Sequence, residues 1–506
     1  MGAGLTRLIG LNRLMVVALL VLLFGCQSSQ QEAGLLRVGL AQMPITLDPR
    51  FATDAASVRV QELMHRGLIR LDEHFNAQGD VAERWVHPSP LIWRFYLKSD
   101  IHFSDGTVLA ARDVAATLSA VLDAKLASPL KASFASIQSV DVETDRIVVI
   151  HLNKPDASLL TRLNLGILPA SMAHKPHQAR NTVGCGAFQL RSWTESALTL
   201  QRVVHSPAGV QTIRFFSVKD PVTRMLKLTR GELDFVQNDL PPQLLSYIKA
   251  QPQLKMQTRP STTFAYIGLN MQDEILKDVR VRRALALALD RKKLKKALFA
   301  DLPQLAETVL TPGHWAAALL PVIPFDPVVA EELLDKAGFP RGKDGVRFSI
   351  NYRTSTDPTR LRLTTAIAAM WERIGVKVSI ESLEWGGFYA RIKRGDFQVF
   401  SLAWVGIADP DIYRWILHSS MWPPKGANRG RYANAQVDDW LDKAAAANTQ
   451  AERKQWFARV QRRMHDDMVY IPLWYDPVIA VSGPRLSGFN TKPDGSLLGL
   501  MSVAIK

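Results

Sequence analysis

Between Leu363 and Trp404 the chain changes period twice, and that change restricts the fold more than any other feature. Leu363, Ile367, Met370 and Ile374 recur at helical spacing, and Gly375 ends the series. Val376, Val378 and Ile380 then alternate as a strand with one covered face does. After a short polar stretch, Phe397 to Trp404 (FQVFSLAW) is almost continuously apolar, as expected of a strand covered on both faces. Helix, half-covered strand and buried strand in that order predict an α/β lobe. Open α/β sheets bind ligands beyond the carboxyl ends of their strands, which makes the loop Val405-Gly406-Ile407-Ala408-Asp409-Pro410 a candidate site.

The rest of the body is mixed α and β, without internal repeats or long linkers. Leu36 to Leu40 and Ile147 to Leu152 read as strands. Asp326-Pro327 supplies an N-cap and a first-turn proline, with Gly338 as the stop. Thr449 and Glu452 form a capping box ahead of the stripe Phe457, Val460, Met464 and Met468. From Val279 to Asp290, the residues Val281, Ala284, Leu285, Ala288 and Leu289 make an apolar stripe with arginines outside it. The 506 residues leave room for about three domains.

The N-terminus bears on compartment. Arg7 and Arg13 precede an unbroken apolar run from Leu14 to Phe24, followed by Gly25 and Cys26. A basic segment, roughly 7 to 15 apolar residues and a small residue before a cut form a signal-peptide pattern. The run falls short of the roughly 20 residues that span a bilayer. Leu23-Phe24-Gly25-Cys26 resembles the lipobox of bacterial lipoproteins, whose cysteine is acylated and becomes the new N-terminus; Phe24 is larger than that motif prefers. Residues 1–25 are thus read as a lipoprotein signal peptide and 26–33 as a tether, with Cys26 as the lipidation site holding the chain to a bilayer. The alternative is a plain secretory peptide with an incidental cysteine. Loss of Arg7 and Arg13 lowers the formal net charge from +15 to +13. An exported chain does not meet genomic DNA, so no nucleic acid is expected as a partner; the basic balance fits anionic lipid, cell-wall polymer or plain solvation. With Cys26 acylated, Cys185 has no disulfide partner.

Catalytic signatures are missing. The sequence has no GxSxG elbow, no HExxH, no GxxxxGK[ST] loop and no GxGxxG after a strand. His174 and His177, with Pro176 between them, read as a loop rather than a metal site. The pairs Asp409/Asp411 and Asp466/Asp467 read as caps or solvated acids. The expectation is a binding protein without catalytic residues, metal or cofactor.

A series of motifs then resembles one family, the extracellular solute-binding proteins of peptide and nickel ABC importers. Leu47-Asp48-Pro49 with Asp54, Gly67-Leu68, and Val81-Ala82-Glu83-Arg84-Trp85 are similar to its opening segments. Trp93-Arg94-Phe95-Tyr96-Leu97 leads into Ile101-His102-Phe103-Ser104-Asp105-Gly106-Thr107 and Ala111-Arg112-Asp113-Val114, which resembles the most specific motif of the family. Gly184-Cys185-Gly186-Ala187-Phe188 with Trp193, Leu269-Asn270, Asp278 to Ala284, Ala337-Gly338-Phe339, Gly395-Asp396-Phe397 and Ile471-Pro472-Leu473 continue in the family's order.

That resemblance implies a two-lobed periplasmic-binding-protein fold (class II, cluster C type) with an extra subdomain on lobe I and a hinge. Lobe I would comprise residues 34–65, 174–260 and 478–506, the subdomain 66–173, and lobe II 261–477. It further implies an exported monomer that delivers peptides to a membrane permease and its ATPase. The peptide would pair with a strand around Met43-Pro44-Ile45 and another ending at Ala403-Trp404-Val405, with Trp404 in the pocket and Trp385, Trp474 and Tyr475 as walls. The family's amine anchor follows the tryptophan in a W-x-G-D-x-x-D-P pattern. Here Trp404 to Pro410 is one residue shorter, with Ile407 at the anchoring place. Either Asp409 takes over or the ligand differs. Other solutes (a nickel chelate, haem, an opine, a cell-wall peptide) stay open, as does, more remotely, an exported hydrolase using Asp409 and Asp411.

The lipobox generates a direct test. Intact mass of membrane-extracted protein should show a chain beginning at an acylated Cys26, and Cys26→Ser should be unanchored or unprocessed. A mature chain starting elsewhere, or lacking acyl mass, refutes the assignment.

Overall fold

Two long strands, Lys255–Leu269 and Tyr470–Ser482, run antiparallel through the middle of an 11-stranded sheet. In the computed structural model, residues 34–204, 209–447 and 449–506 are described. The signal-peptide and Cys26 readings therefore lie outside the described residues.

On one side of the central pair stand Val399–Trp404, Phe348–Ser355 and Val376–Leu383. On the other stand Phe235–Gln237, Leu35–Leu40, Thr212–Ser217, Ala197–Arg202 and Phe188–Trp193. Each half carries a core on both faces of the sheet, which makes two α/β lobes. A further core joins the helix Ala111–Leu122 to a four-stranded sheet of Ala82–Ser89, Ile92–Leu97, Ile147–Leu152 and Ile137–Thr144. This is the extra subdomain.

The period changes read from the sequence appear as real elements. The Asp357 carboxylate accepts from the Thr359 and Arg360 N–H groups and starts the helix Pro358–Arg373, which Gly375 (φ +84°) terminates. Val376–Leu383 then pairs parallel with Phe348–Ser355, and Val399–Trp404 fits between that strand and the long strand Lys255–Leu269. Thr449 Oγ1 accepts from the Glu452 N–H at 3.2 Å, which is the N-cap half of the expected capping box. That helix ends at Asp466, and Met468 turns back at φ +47°, so Met468 is buried but lies beyond the helical stripe.

One expectation fails in the helix Val279–Leu287. Arg282 is buried rather than outside, because its guanidinium donates to the carbonyls of Leu276, Lys277, Asp467 and Met468. In Gly184-Cys185-Gly186 the first glycine is a packing requirement: a Cβ there would sit 2.0 Å from the Met64 carbonyl oxygen.

The central pair breaks register at the lobe junction. Pro260 faces Pro477 and Phe264 faces Tyr475, so Ser261, Thr262 and Thr263 stand opposite Asp476 alone. The displaced backbone finds partners on two sides: the Thr262 N–H donates to the Pro493 carbonyl, and the Thr262 carbonyl accepts from the Ile407 N–H, each at 3.1 Å.

Lobe I is tied together by a wholly buried ion pair, Asp48 with Arg50 at 2.6 Å. Asp48 also accepts from the Gln178 N–H, and Arg50 donates to the Lys175 carbonyl, joining chain segments far apart in sequence. Asp48→Asn leaves the guanidinium buried without its counter-ion. Urea denaturation should show a loss of about 3–5 kcal/mol, the usual cost of breaking such a pair, with an unchanged denaturant slope.

Candidate functional site

A cleft of about 710 Å³ lies where both lobes and the subdomain meet. Lobe I contributes Pro49, Ala52 and Gln61, and the subdomain contributes Phe134, Ser158, Thr161 and Arg162. From lobe II come Trp404 to Asp409, Asp411 and Trp415. The loop singled out at the strand's carboxyl end is therefore on the cleft wall.

Asp409 is the cleft's most constrained acid. Its side chain is one-fifth exposed and accepts from the Thr161 hydroxyl at 2.6 Å, across the boundary between lobe II and the subdomain. Its other oxygen accepts from the Asp411 N–H at 2.8 Å. Arg453, buried on the helix Gln450–Asp466, pairs with Asp411 at 2.8 Å and approaches Asp409 to 3.8 Å. Burial, and then the neighbouring Asp411, push the Asp409 carboxyl up to about 6, against the pull of Arg453 and the Thr161 hydroxyl. Asp409 is thus left short of positive charge.

The subdomain brings a cation of its own. Arg162 donates to Ser158 Oγ at 2.5 Å and pairs with Asp156. Burial alone would raise the Asp156 carboxyl, but Arg162 and the hydroxyls of Ser136 and Ser158 hold it below the usual range.

The lobes also touch beside the cleft. Between Ile69–Leu71 and Ala77–Gly79 a hairpin tip reaches lobe II: the Trp315 N–H donates to the His74 carbonyl at 3.0 Å, and Gln450 Nε2 donates to Asn76 Oδ1 at 2.9 Å. Phe75, buried and at φ +64°, stacks on His314 at 5.1 Å. Burial pushes His314 down to about 4, so it is neutral at neutral pH. Its Nδ1 accepts from the Ala316 N–H, which leaves Nε2–H to donate to the Ala408 carbonyl of the cleft loop.

Of the residues singled out from sequence, Trp404, Val405 and Asp409 line the cleft. Trp404 stacks on Tyr266, and the Arg429 guanidinium lies 4.4 Å over its ring. Ala403 pairs with Ala265 in the sheet. Trp385 opens the helix Trp385–Arg394, half exposed, and stacks on Tyr389, whose hydroxyl accepts from Arg429. The others need correction. Met43-Pro44-Ile45 is not a strand: Pro44 has no N–H to donate, and the Ile45 and Thr46 N–H groups are taken by Ser57 Oγ. Tyr475 is core, its hydroxyl shared between the Thr308 and Leu310 carbonyls. Trp474 points to the opposite face of the sheet, into the core beside the helix Pro358–Arg373.

Thr161, Arg162 and Arg453 are the site residues that sequence reasoning missed. Only Arg453 left a signal: it precedes Phe457 by one helical turn and so falls on the apolar stripe, where a charge has to be paired. Among the described residues, no group of three or more His, Cys, Asp or Glu is placed to hold a metal ion, and no helix is long and apolar enough to cross a membrane.

Comparison with known proteins agrees with this architecture. The glutathione-binding protein GsiB of Escherichia coli O6:K15:H31 is 28% identical over 477 residues, covering 89% of this chain and 90% of its own. The solved structure of HbpA2 from Haemophilus parasuis matches with a TM-score of 0.84 at 23% identity, over 93% of this chain and 100% of that one. The oligopeptide-binding protein AppA from Bacillus subtilis, solved with a nonapeptide, matches at 0.71 and 23% identity, over 94% and 99%. Residues 76–422 match the middle region of the bacterial extracellular solute-binding proteins, family 5, and the chain is a member of that family.

Proposed function

We propose that this chain captures a small peptide with a free amino end between its lobes and hands it, chemically unchanged, to the permease and ATPase of an ABC importer. It acts as a monomer, exported and held to the membrane by acylated Cys26, with its lobes divided at 260/261 and 477/478. The supporting observation is the position of Asp409: a carboxylate short of positive charge, on the wall of a cleft to which both lobes and the subdomain contribute. A ligand ammonium supplies what Arg453 supplies only in part. Main-chain pairing has a place to form as well. Strand pairing on one edge of Val399–Trp404 ends at Phe400, which leaves Ser401 to Trp404 with a partner on the other edge only. The relative that binds glutathione fits a ligand of this size and kind.

Native mass spectrometry of co-purified ligand identifies the solute, and recovery of altered ligand after long incubation overturns the non-enzymatic reading. Calorimetry then tests the anchor. Asp409→Asn should weaken binding of a free-amine peptide by about 2–5 kcal/mol. N-acetylation of the peptide should cost a similar amount, and the two losses should not add. The pH dependence has a definite sign. In the free protein Asp409 holds its proton below about 6. A bound ammonium favours the carboxylate, so binding expels that proton. Affinity should be full above that pH and fall below it, and this slope should vanish in Asp409→Asn. Additive or negligible losses remove Asp409 as the anchor and point to a ligand without a free amine.

A further inference from the structure

The cleft is on one face of the central strands; a second cavity, of about 410 Å³, is on the other. Side chains alternate along a strand, and here Trp474 joins the core on one face while Tyr475 joins the core that Trp404 packs against. The second cavity is walled by Trp474, so it opens behind the lobe junction. Both halves of the molecule build it: Leu240 and Ile479 come from one, Phe299, Leu302 and Leu363 from the other.

Into this space, lined by polar and apolar groups in nearly equal measure, the strand Tyr470–Ser482 presents Asp476. Its carboxylate accepts a single side-chain hydrogen bond, from Trp474 Nε1 at 3.1 Å, and no cation among the described residues reaches ion-pair distance. Arg360, on the same wall, acts on it only at longer range, and burial holds its pKa above the ordinary carboxylate value. The remaining charges do not help. Asp357 is occupied as a helix cap, and Asp239 adds a second negative charge at the rim. That rim is also strained: Asn238 and Asp239 both adopt left-handed backbone, φ +61° and +53°, held by paired hydrogen bonds between Asn238 and Ile479. Strain of this kind persists where the surrounding structure imposes it, often at ligand sites.

We propose that this rear cavity is a second binding site, for a protonated amine carried on an apolar body. The ammonium sits on Asp476 and Asp239 closes the mouth, while Phe299, Leu363 and Trp474 take the body. The chemistry follows from the lining: three carboxylates against the guanidinium of Arg360, with Arg224 behind Asp239 and donating to its carbonyl, around a space that also offers the apolar side chains of Phe299, Leu302, Leu363 and Trp474. This site goes beyond the interlobe reading and does not depend on it.

The test uses the full chain in detergent with three probes of one shape: phenethylammonium, 2-phenylethanol and phenylacetate. Calorimetry should show saturable binding of the ammonium, at least about tenfold tighter than the alcohol, and none of the carboxylate. The indole N–H resonance of Trp474, assigned by its loss in Trp474→Phe, should shift in step with that binding. Asp476→Asn preserves an acceptor for Trp474 and should weaken the ammonium at least about tenfold. Leu302→Trp, which narrows the cavity without touching Asp476, should also abolish binding, and Asp409→Asn should leave it unchanged, separating the rear site from the cleft. Equal affinity for ammonium and alcohol, indifference to Asp476→Asn, loss with Asp409→Asn, or no saturable shift up to the probe's solubility limit would each overturn the proposal.

Discussion

The break in register between Pro260 and Phe264 governs how the two halves meet. Two continuous antiparallel strands would make one rigid sheet through the molecule. Prolines at 260 and 477 instead interrupt the ladder where the halves join, and three residues crowd opposite Asp476. The cost of the break is limited because the freed backbone is not left unpaired: Thr262 bonds to Pro493 on one side and Ile407 on the other. The same short segment that separates the lobes therefore also positions the cleft loop. Geometry at the hinge and geometry at the site are set by one irregularity.

Charge in the cleft is arranged unevenly. Arg453 is buried beside the rings of Trp315 and Phe457, and burial would lower its pKa, but Asp411 and then Asp409 more than compensate. The guanidinium thus has two acids to choose from and sits closer to Asp411. Asp409 is left with a hydroxyl and a backbone N–H, donors that help a carboxylate less than a full positive charge does. Such an imbalance in a low-dielectric cleft favours a cationic ligand group more than a symmetric pairing would.

Much of lobe II is legible in the sequence alone, because its elements announce themselves locally. Asp326-Pro327 and Thr449 cap their helices, Gly375 stops one, and the period change to Val399–Trp404 identifies a central strand. The loop after that strand was legible as a site for the same reason. What could not be read was convergence. Thr161 and Arg162 occupy a four-residue helix with no distinguishing pattern, and only tertiary packing brings Thr161 to Asp409 and Arg162 to the same cleft. Trp474 and Tyr475 show the complementary difficulty: adjacent aromatics on a fully covered strand point to opposite faces, and composition does not say which face is the cleft. The segment at Met43 was misread because a family's strand was carried onto a stretch whose own proline and Ser57 contacts forbid it.

The hairpin tip carries one more implication, for selectivity. Its contacts with lobe II, Phe75 on His314 and the backbone bonds at His74 and Trp315, are made between protein atoms alone. Their contribution to bringing the lobes together is consequently the same whatever solute occupies the cleft. In the ratio of two affinities that common contribution cancels. The tip raises or lowers the binding constants of all solutes together, and discrimination between them falls to the side chains that line the cleft.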